Sequence, residues 1–160
     1  MFFLQARVSV LREVQERKGE RRMCGVNKQA IKKIFKPYPN PDGYMKTDLY
    51  IDIIQAAALY KGDESVIYLP DTLCKVWNKS TMEKFLKLSE VDSIVYVAEE
   101  MDCDDFARIL HGEGMPELWT NNHAMNWFIT PEGVLYYVEP QTDQISVNID
   151  GMYIRFFKGV

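Results

Sequence analysis

The spacing of apolar residues along the chain predicts short helices separated by breaks. Apolar positions follow a helical repeat after Asn27, a residue that can cap a helix start. A second repeat runs from Ser80 or Thr81 to Leu88 and predicts another capped helix. Residues 48–60 fit either a strand that runs into a helix or one buried helix, because periodicity does not separate the two.

Shorter apolar runs predict strands. Residues 66–69 predict a short strand before Pro70, and residues 94–97 are typical of a buried extended segment. Residues 122–129 and 134–139 are rich in aromatic and β-branched side chains, and they flank a Pro-x-Gly turn at 130–133. This arrangement predicts an antiparallel hairpin.

Composition is that of a soluble single-domain protein. The chain has 160 residues, 47% of them hydrophobic, and a net charge of −4. That charge gives no electrostatic reason to expect nucleic acid or an anionic membrane as a partner. No apolar run approaches the ~20 residues of a membrane span, and the apolar start is too short for a signal peptide.

The first 22 residues differ in charge from the rest. They carry six Lys or Arg against three Glu, so we expect an N-terminal extension, 1–22, before a single domain, 23–160. Residues 17–22 can all be written with purine-only codons, as in a bacterial ribosome-binding site. Met23 is therefore an alternative start to Met1, and the intact mass of the natively expressed protein decides between them.

Cysteine and histidine content narrows the possible chemistry. Cys24, Cys74 and Cys103 form no C-x-x-C pair, so reduced thiols in a cytoplasmic setting are expected. Scattered cysteines with only two histidines fit no zinc spacing. If His111 shares a helix with Cys103, it lies about 12 Å further along the axis. His123 is then the only histidine that can pair with that thiol.

Cys103 lies where a helix is expected to begin. Asp102 is a strong N-cap residue, and Asp105 lies at the position that completes a variant of the capping box. At the first helical position, the helix dipole and unpaired N–H groups favour a thiolate and can stabilise an oxyanion. The aspartates that follow oppose the thiolate. The segment fits equally well a buried structural cysteine at a capped helix start.

Counting outward from the hairpin turn brings His123 opposite Glu139, within one register step. Directly opposed residues have Cβ atoms about 4.5–5.5 Å apart. The carboxylate can therefore orient the imidazole, as in the base-and-orienter pair of a catalytic triad. A polar cross-strand pair at a sheet edge fits the same pattern. The predicted catalytic set is Cys103, His123 and Glu139.

Three strings in this region carry a resemblance to a known family. They are D-C-D-D-F-A at 102–107, H-A-M-N-W-F at 123–128 and E-P-Q-T-D at 139–143. They resemble the papain-like cysteine protease domain at the C-terminus of a mushroom agglutinin, a domain also found in small phage and bacterial proteins. The resemblance covers about residues 60–150. It implies an α+β, papain-like fold in which a nucleophile-bearing helix packs on a small antiparallel sheet.

The same resemblance implies roles for individual residues. It makes Cys103 the nucleophile, His123 the base and Glu139 the orienter, with Gln141 lining the site. The chain departs from the family because no upstream glutamine or tryptophan is spaced like an oxyanion-hole donor. Tyr96, seven residues before Cys103, is the nearest substitute.

Calcium is the cofactor that the resemblance implies, bound by acidic residues around the site. The matching positions here are Asp104, Asp105 and Asp143. Stabilisation of a helix start and of a turn is the stronger explanation of these aspartates. The triad itself requires no cofactor.

The function expected from this reasoning is a cysteine hydrolase acting on peptide or amide bonds. The Cys103 thiolate would attack the carbonyl and His123 would protonate the leaving amine. One alternative is a catalytically inactive, phage-associated binding or structural module of the same fold, stabilised by calcium. Another is a transferase that uses the thiol and an amine acceptor. The expected setting is the cytoplasm of a bacterium or of a phage-infected host cell.

Overall fold

The computed structural model describes residues 38–57, 59–149 and 153–160. Residues 37–160 form one compact unit. The predicted extension 1–22 and the predicted helix after Asn27 lie outside the described residues, so both stay predictions.

Three α-helices are present in the described ranges. The first, α1, spans Thr47–Ala56, α2 spans Lys79–Ser89 and α3 spans Cys103–Gly112, with short 3-10 turns at Gly62–Glu64 and Val91–Ser93. Of the two alternatives for residues 48–60, the helix is the closer one, although it ends at Ala56 and buries only Tyr50 and Ile54.

Helix α2 begins slightly earlier than predicted. Asn78, rather than Ser80 or Thr81, is the residue at its N-cap. The Asn78 backbone N–H donates to Asp42 Oδ2 at 2.7 Å, and its carbonyl accepts from Thr81 and Met82. A carboxylate distant in sequence thus accepts hydrogen bonds from the backbone of Asn78 and the hydroxyl of Thr81 at the start of this helix.

The strands form two sheets. A two-stranded antiparallel sheet pairs β1 with β3, and a six-stranded sheet has the order β2-β8-β4-β5-β6-β7. The strands are β1 Gly43–Lys46, β2 Val66–Tyr68, β3 Leu73–Val76, β4 Glu117–Thr120, β5 Ala124–Ile129, β6 Leu135–Glu139, β7 Gln144–Ser146 and β8 Ile154–Lys158.

The α+β class is confirmed, whereas the predicted sheet was too simple. The larger sheet is not purely antiparallel, because β2 and β8 run parallel. The predicted hairpin is confirmed as β5 and β6, and its turn closes with Thr130 N–H donating to the Val134 carbonyl. Gly133 has φ +84 in that turn, a conformation that glycine adopts readily.

The prediction of a buried extended segment at residues 94–97 was wrong. Val95, Tyr96 and Val97 are exposed, and backbone hydrogen bonds between Val97 and Met101 close a tight turn before α3. No described strand pairs with this run beyond that local bridge. Only Ile94 packs against the core, and the three residues after it have no neighbour that buries them.

Strand β5 lies in the middle of the core and is buried along its whole length. Because side chains alternate along a strand, Trp127 packs in the cluster shared with α1, and Phe128 packs in the cluster shared with α2 and α3. Trp127 contacts Tyr50 and Phe157, with ring centroids 5.5 and 5.2 Å apart. The sheet therefore has helices on both faces.

Among the described residues, no helix is long and apolar enough to span a membrane.

Candidate functional site

The start of α3 has the capped geometry that the sequence predicts. Asp102 is the N-cap, and its Oδ1 accepts the Asp104 N–H at 3.4 Å. Asp105 Oδ2 accepts the Asp102 N–H at 3.3 Å, which completes the capping box. Cys103 is the first helical residue, a partly exposed free thiol. The buried structural cysteine of the alternative is therefore only partly buried.

The aspartates around Cys103 are electrostatically linked to each other and to Arg108. The Arg108 guanidinium binds Asp104 at 2.7 Å and Asp105 at 3.2 Å. Hydrogen bonding between the Asp102 and Asp104 carboxyl groups raises the pKa of Asp102 and lowers that of Asp104, and Arg108 lowers the latter further. The first turn thus holds anionic charge where the helix dipole stabilises it.

One potential metal-binding group occurs among the described residues. Ligand atoms of Asp102, Cys103 and Asp104 lie within 4.8 Å of one another. The group fits calcium poorly, because calcium takes six to eight oxygen ligands and one of these three atoms is sulfur. Of the three aspartates predicted as calcium ligands, only Asp104 belongs to it. Calcium binding stays a prediction.

His123 and Glu139 form the second part of the site. His123 Nε2 and Glu139 Oε2 are 2.6 Å apart, and both side chains are mostly buried. The β5–β6 register places Met125 opposite Glu139, so His123 reaches the carboxylate diagonally rather than directly. Since an ionised carboxylate only accepts, Nε2 carries the hydrogen and Nδ1 remains an acceptor in the neutral ring.

Backbone contacts hold this pair in place. The His123 N–H donates to Thr120 Oγ1 at 2.9 Å, and Thr120 Oγ1 in turn donates to the His123 carbonyl. The Gln141 N–H donates to Glu139 Oε1 at 3.3 Å, so Gln141 lies at the site through its backbone. The imidazole and carboxylate are therefore oriented before any ligand arrives.

The structure brings some of the predicted residues together and leaves others apart. His123, Glu139 and Gln141 are in contact, and Cys103 lies with Asp102 and Asp104. Among the described residues, no hydrogen bond joins the Cys103 sulfur to the His123 ring. Asp102, predicted only as a cap, proves to belong to the acidic group around Cys103.

Two other predicted residues lie outside these contacts. Tyr96, the substitute oxyanion donor, is 53% exposed on the turn before α3. Asp143 follows β6 in the left-handed conformation with φ 58, and among the described residues its buried Oδ1 has no hydrogen-bond partner. Burial, together with repulsion from Asp92, raises the pKa of Asp143 from 3.8 to about 6.

We expect Asp143→Asn to stabilise the protein at neutral pH. The folded pKa lies above the unfolded one, so the contribution of Asp143 to stability is greatest below pH 3.8 and is lost as pH rises through about 6. Removing the charge should raise the free energy of unfolding by about 1 kcal/mol at pH 7, discounted for partial exposure, and by almost nothing at pH 4. Asparagine also tolerates positive φ.

Urea unfolding at pH 4 and pH 7 measures this difference. Asp92→Asn is the matched control, since it removes only the repelling charge and should give a smaller gain at pH 7. Equal stabilisation by Asp143→Asn at both pH values would contradict the assignment.

Comparison with known proteins shows a likeness in structure and none in sequence families. No family model and no curated protein matches the chain. One solved structure, described as the PSL1a–E64 complex, matches with a TM-score of 0.65 and 20% identity over 71% of this chain and 50% of the neighbour.

A second solved structure has a similar fold. It is the Polyporus squamosus lectin bound to the human-type influenza-binding epitope Neu5Aca2-6Galb1-4GlcNAc, with a TM-score of 0.61 and 20% identity over 71% of this chain and 49% of the lectin. The chain thus spans about half the length of these neighbours. At this identity the likeness shows the fold alone.

These neighbours correct the predicted family and function. They are structures of a lectin, so the identification as a papain-like cysteine protease domain is wrong. The prediction of a hydrolase acting on peptide or amide substrates is wrong for the same reason. The alternative prediction, a binding module, agrees better with these neighbours, but its association with phage has no support. The motif residues also have structural roles, since Asp102 and Asp105 cap α3 and Trp127 lies in the core.

Proposed function

We propose that this chain is a glycan-binding module. The observation that carries the proposal is the likeness over 71% of the chain to a lectin bound to the epitope Neu5Aca2-6Galb1-4GlcNAc. This develops the alternative of a binding module. We also propose that helix and sheet are arranged as in a papain-like fold, because α3 packs on β4 and β5 and carries Cys103 at its first position.

The loop between β4 and β5 supports a binding role because it offers polar groups in fixed positions. His123 has its Nε2 committed to Glu139, which leaves Nδ1 as an acceptor for a ligand hydroxyl. Asn121 and Asn122 are exposed beside it. Recognition sites for small polar ligands typically combine a few such oriented groups with apolar contact area.

The test is titration of the natural chain with the trisaccharide Neu5Aca2-6Galb1-4GlcNAc. Saturation-transfer NMR should detect contact, and calorimetry should give a dissociation constant on the order of 1 mM or tighter. The disaccharide Galb1-4GlcNAc is the matched control and shows whether the sialic acid contributes. The recovered glycan should have an unchanged mass. Absence of saturation by either glycan overturns the proposal.

The other neighbour favours a second ligand, because it is described as a complex with E64. We propose that E64 binds at the start of α3, where Cys103 and the Asp102–Asp104 group form an accessible polar site. Titration of the natural chain and of Cys103→Ser with E64 tests this, with Cys74→Ser as the control at a buried thiol. Equal binding by Cys103→Ser and the natural chain contradicts this placement.

A further inference from the structure

One face of the large sheet carries apolar side chains that the described residues leave open. The register of β2, β8 and β4 aligns Val66, Phe156 and Trp119 in one row across the sheet. The next row on the same face contains Tyr68, Lys158 and Glu117. These residues are called here the aromatic face: Val66, Tyr68, Glu117, Trp119, Phe156 and Lys158.

Exposure distinguishes this face from the opposite one. Val66, Tyr68 and Trp119 are 57%, 55% and 42% exposed, whereas Leu118 and Phe157, which alternate with them, are completely buried. Aromatic and branched side chains that lie together on a solvent-exposed sheet face are typical of a surface that binds a ligand or a partner protein. Helix α3 covers the face further along, where Asn126 of β5 donates to the Ala107 carbonyl.

A buried carboxylate holds two members of the face in place. Trp119 Nε1 donates to Glu117 Oε1 at 2.7 Å, and Lys158 Nζ lies 3.6 Å from Glu117 Oε2. Glu117 itself is only 4% exposed. The indole ring is therefore oriented before binding, which lowers the entropic cost of ordering it on a ligand.

Positive charge borders the apolar surface. Lys158 lies in the second row, and a bulge between β4 and β8 accommodates Arg155 beside Phe156. The Arg155 guanidinium lies 5.9 Å from the centre of the Tyr153 ring. This surface therefore suits a ligand that has an apolar face for the aromatic side chains, hydroxyl groups for the neighbouring polar groups and one carboxylate for a cation.

We propose that the aromatic face is the surface that binds the glycan, a step that rests on the proposed function. One face of a galactose ring carries C–H groups and packs on Trp119, as apolar groups do on an indole. The carboxylate of a terminal sialic acid pairs with Lys158 or Arg155. Trp119 pairs with Ala124, so the β4–β5 loop adjoins this end of the face, whereas His123 alternates to the other side of the sheet.

The experiment compares Trp119→Ala with Tyr44→Ala, an exposed aromatic residue of the small sheet. Trp119→Ala should weaken binding of Neu5Aca2-6Galb1-4GlcNAc by at least about tenfold, and Tyr44→Ala by less than about twofold. Lys158→Gln should weaken binding of the sialylated glycan more than that of Galb1-4GlcNAc.

A second measurement uses the natural chain and does not depend on a variant folding. Of its three tryptophans, Trp77 and Trp127 are buried and Trp119 is exposed. Saturating glycan should therefore protect the accessible fraction of tryptophan fluorescence from acrylamide. Unchanged quenching at saturation contradicts contact with Trp119.

The outcomes separate the two proposals. If the natural chain binds glycan and Trp119→Ala binds it equally well, the aromatic face is overturned while glycan binding stands. If the natural chain binds no glycan, the proposed function is overturned. Sedimentation then shows whether a second copy of this chain covers the aromatic face. A dimer of the natural chain that is absent in Trp119→Ala would demonstrate this.

Discussion

Replacing Trp127 with alanine should lower the free energy of unfolding by about 3–5 kcal/mol, the largest loss expected from a single change in the described structure. The side chain is fully buried, and its ring contacts Tyr50 and Phe157. Its Nε1 also donates to the Glu117 carbonyl at 2.9 Å. The variant loses transfer free energy, ring contacts and a buried hydrogen bond together.

Trp119→Ala is the control for this prediction, because the same residue type lies eight positions away with its ring partly in water. It should cost about 1–2 kcal/mol, less than Trp127→Ala, because its ring is partly exposed and the main loss is the hydrogen bond to the buried Glu117 carboxylate. Urea unfolding followed by circular dichroism measures both variants. Similar losses in the two would show that Trp127 is not the central residue of the core.

Asn126→Ala should lower stability by about 2 kcal/mol, the second-largest effect expected, through loss of a buried polar link. The Asn126 side chain is fully buried, and its Nδ2 donates to the carbonyls of Ala107 at 3.0 Å and Pro116 at 3.1 Å. Both carbonyls lose a donor in the variant. The cost is moderated because Asn126 Oδ1 has no partner among the described residues.

The loss at Asn126 should also be local. Since the Ala107 carbonyl belongs to α3, amide hydrogens of α3 should exchange faster in the variant than the overall loss of stability accounts for. Asn148→Ala, at an exposed asparagine, is the matched control and should change neither measurement. Uniform acceleration across the whole sheet would show that Asn126 has no particular role in holding α3.

These two predictions concern residues within one motif, and they show why the motif misled the functional interpretation. In H-A-M-N-W-F, Asn126 anchors a helix and Trp127 fills the core, so both serve the fold whatever the protein binds. A likeness confined to such residues therefore gave no indication of the chemistry. The structural neighbours share the fold of this chain at 20% identity.

The sequence by itself determined the features that depend on near neighbours in the chain. The capping box of Asp102 and Asp105 and the hairpin that brings His123 close to Glu139 were predicted, because each involves residues separated by a turn or by a short, countable distance. The α+β class was implied by the resemblance of the three motifs and not by periodicity.

Only the tertiary structure decided the features that join distant segments. Strand β2 pairs with β8, about ninety residues later in the chain, and this pairing creates the aromatic face. The tertiary structure also decided that residues 95–97 stay exposed and that Glu117 orients Trp119 and Lys158. Periodicity predicts which residues of a strand share one face. It does not predict which other strand pairs with that strand or whether another element covers the face, because both depend on long-range packing that local patterns do not encode.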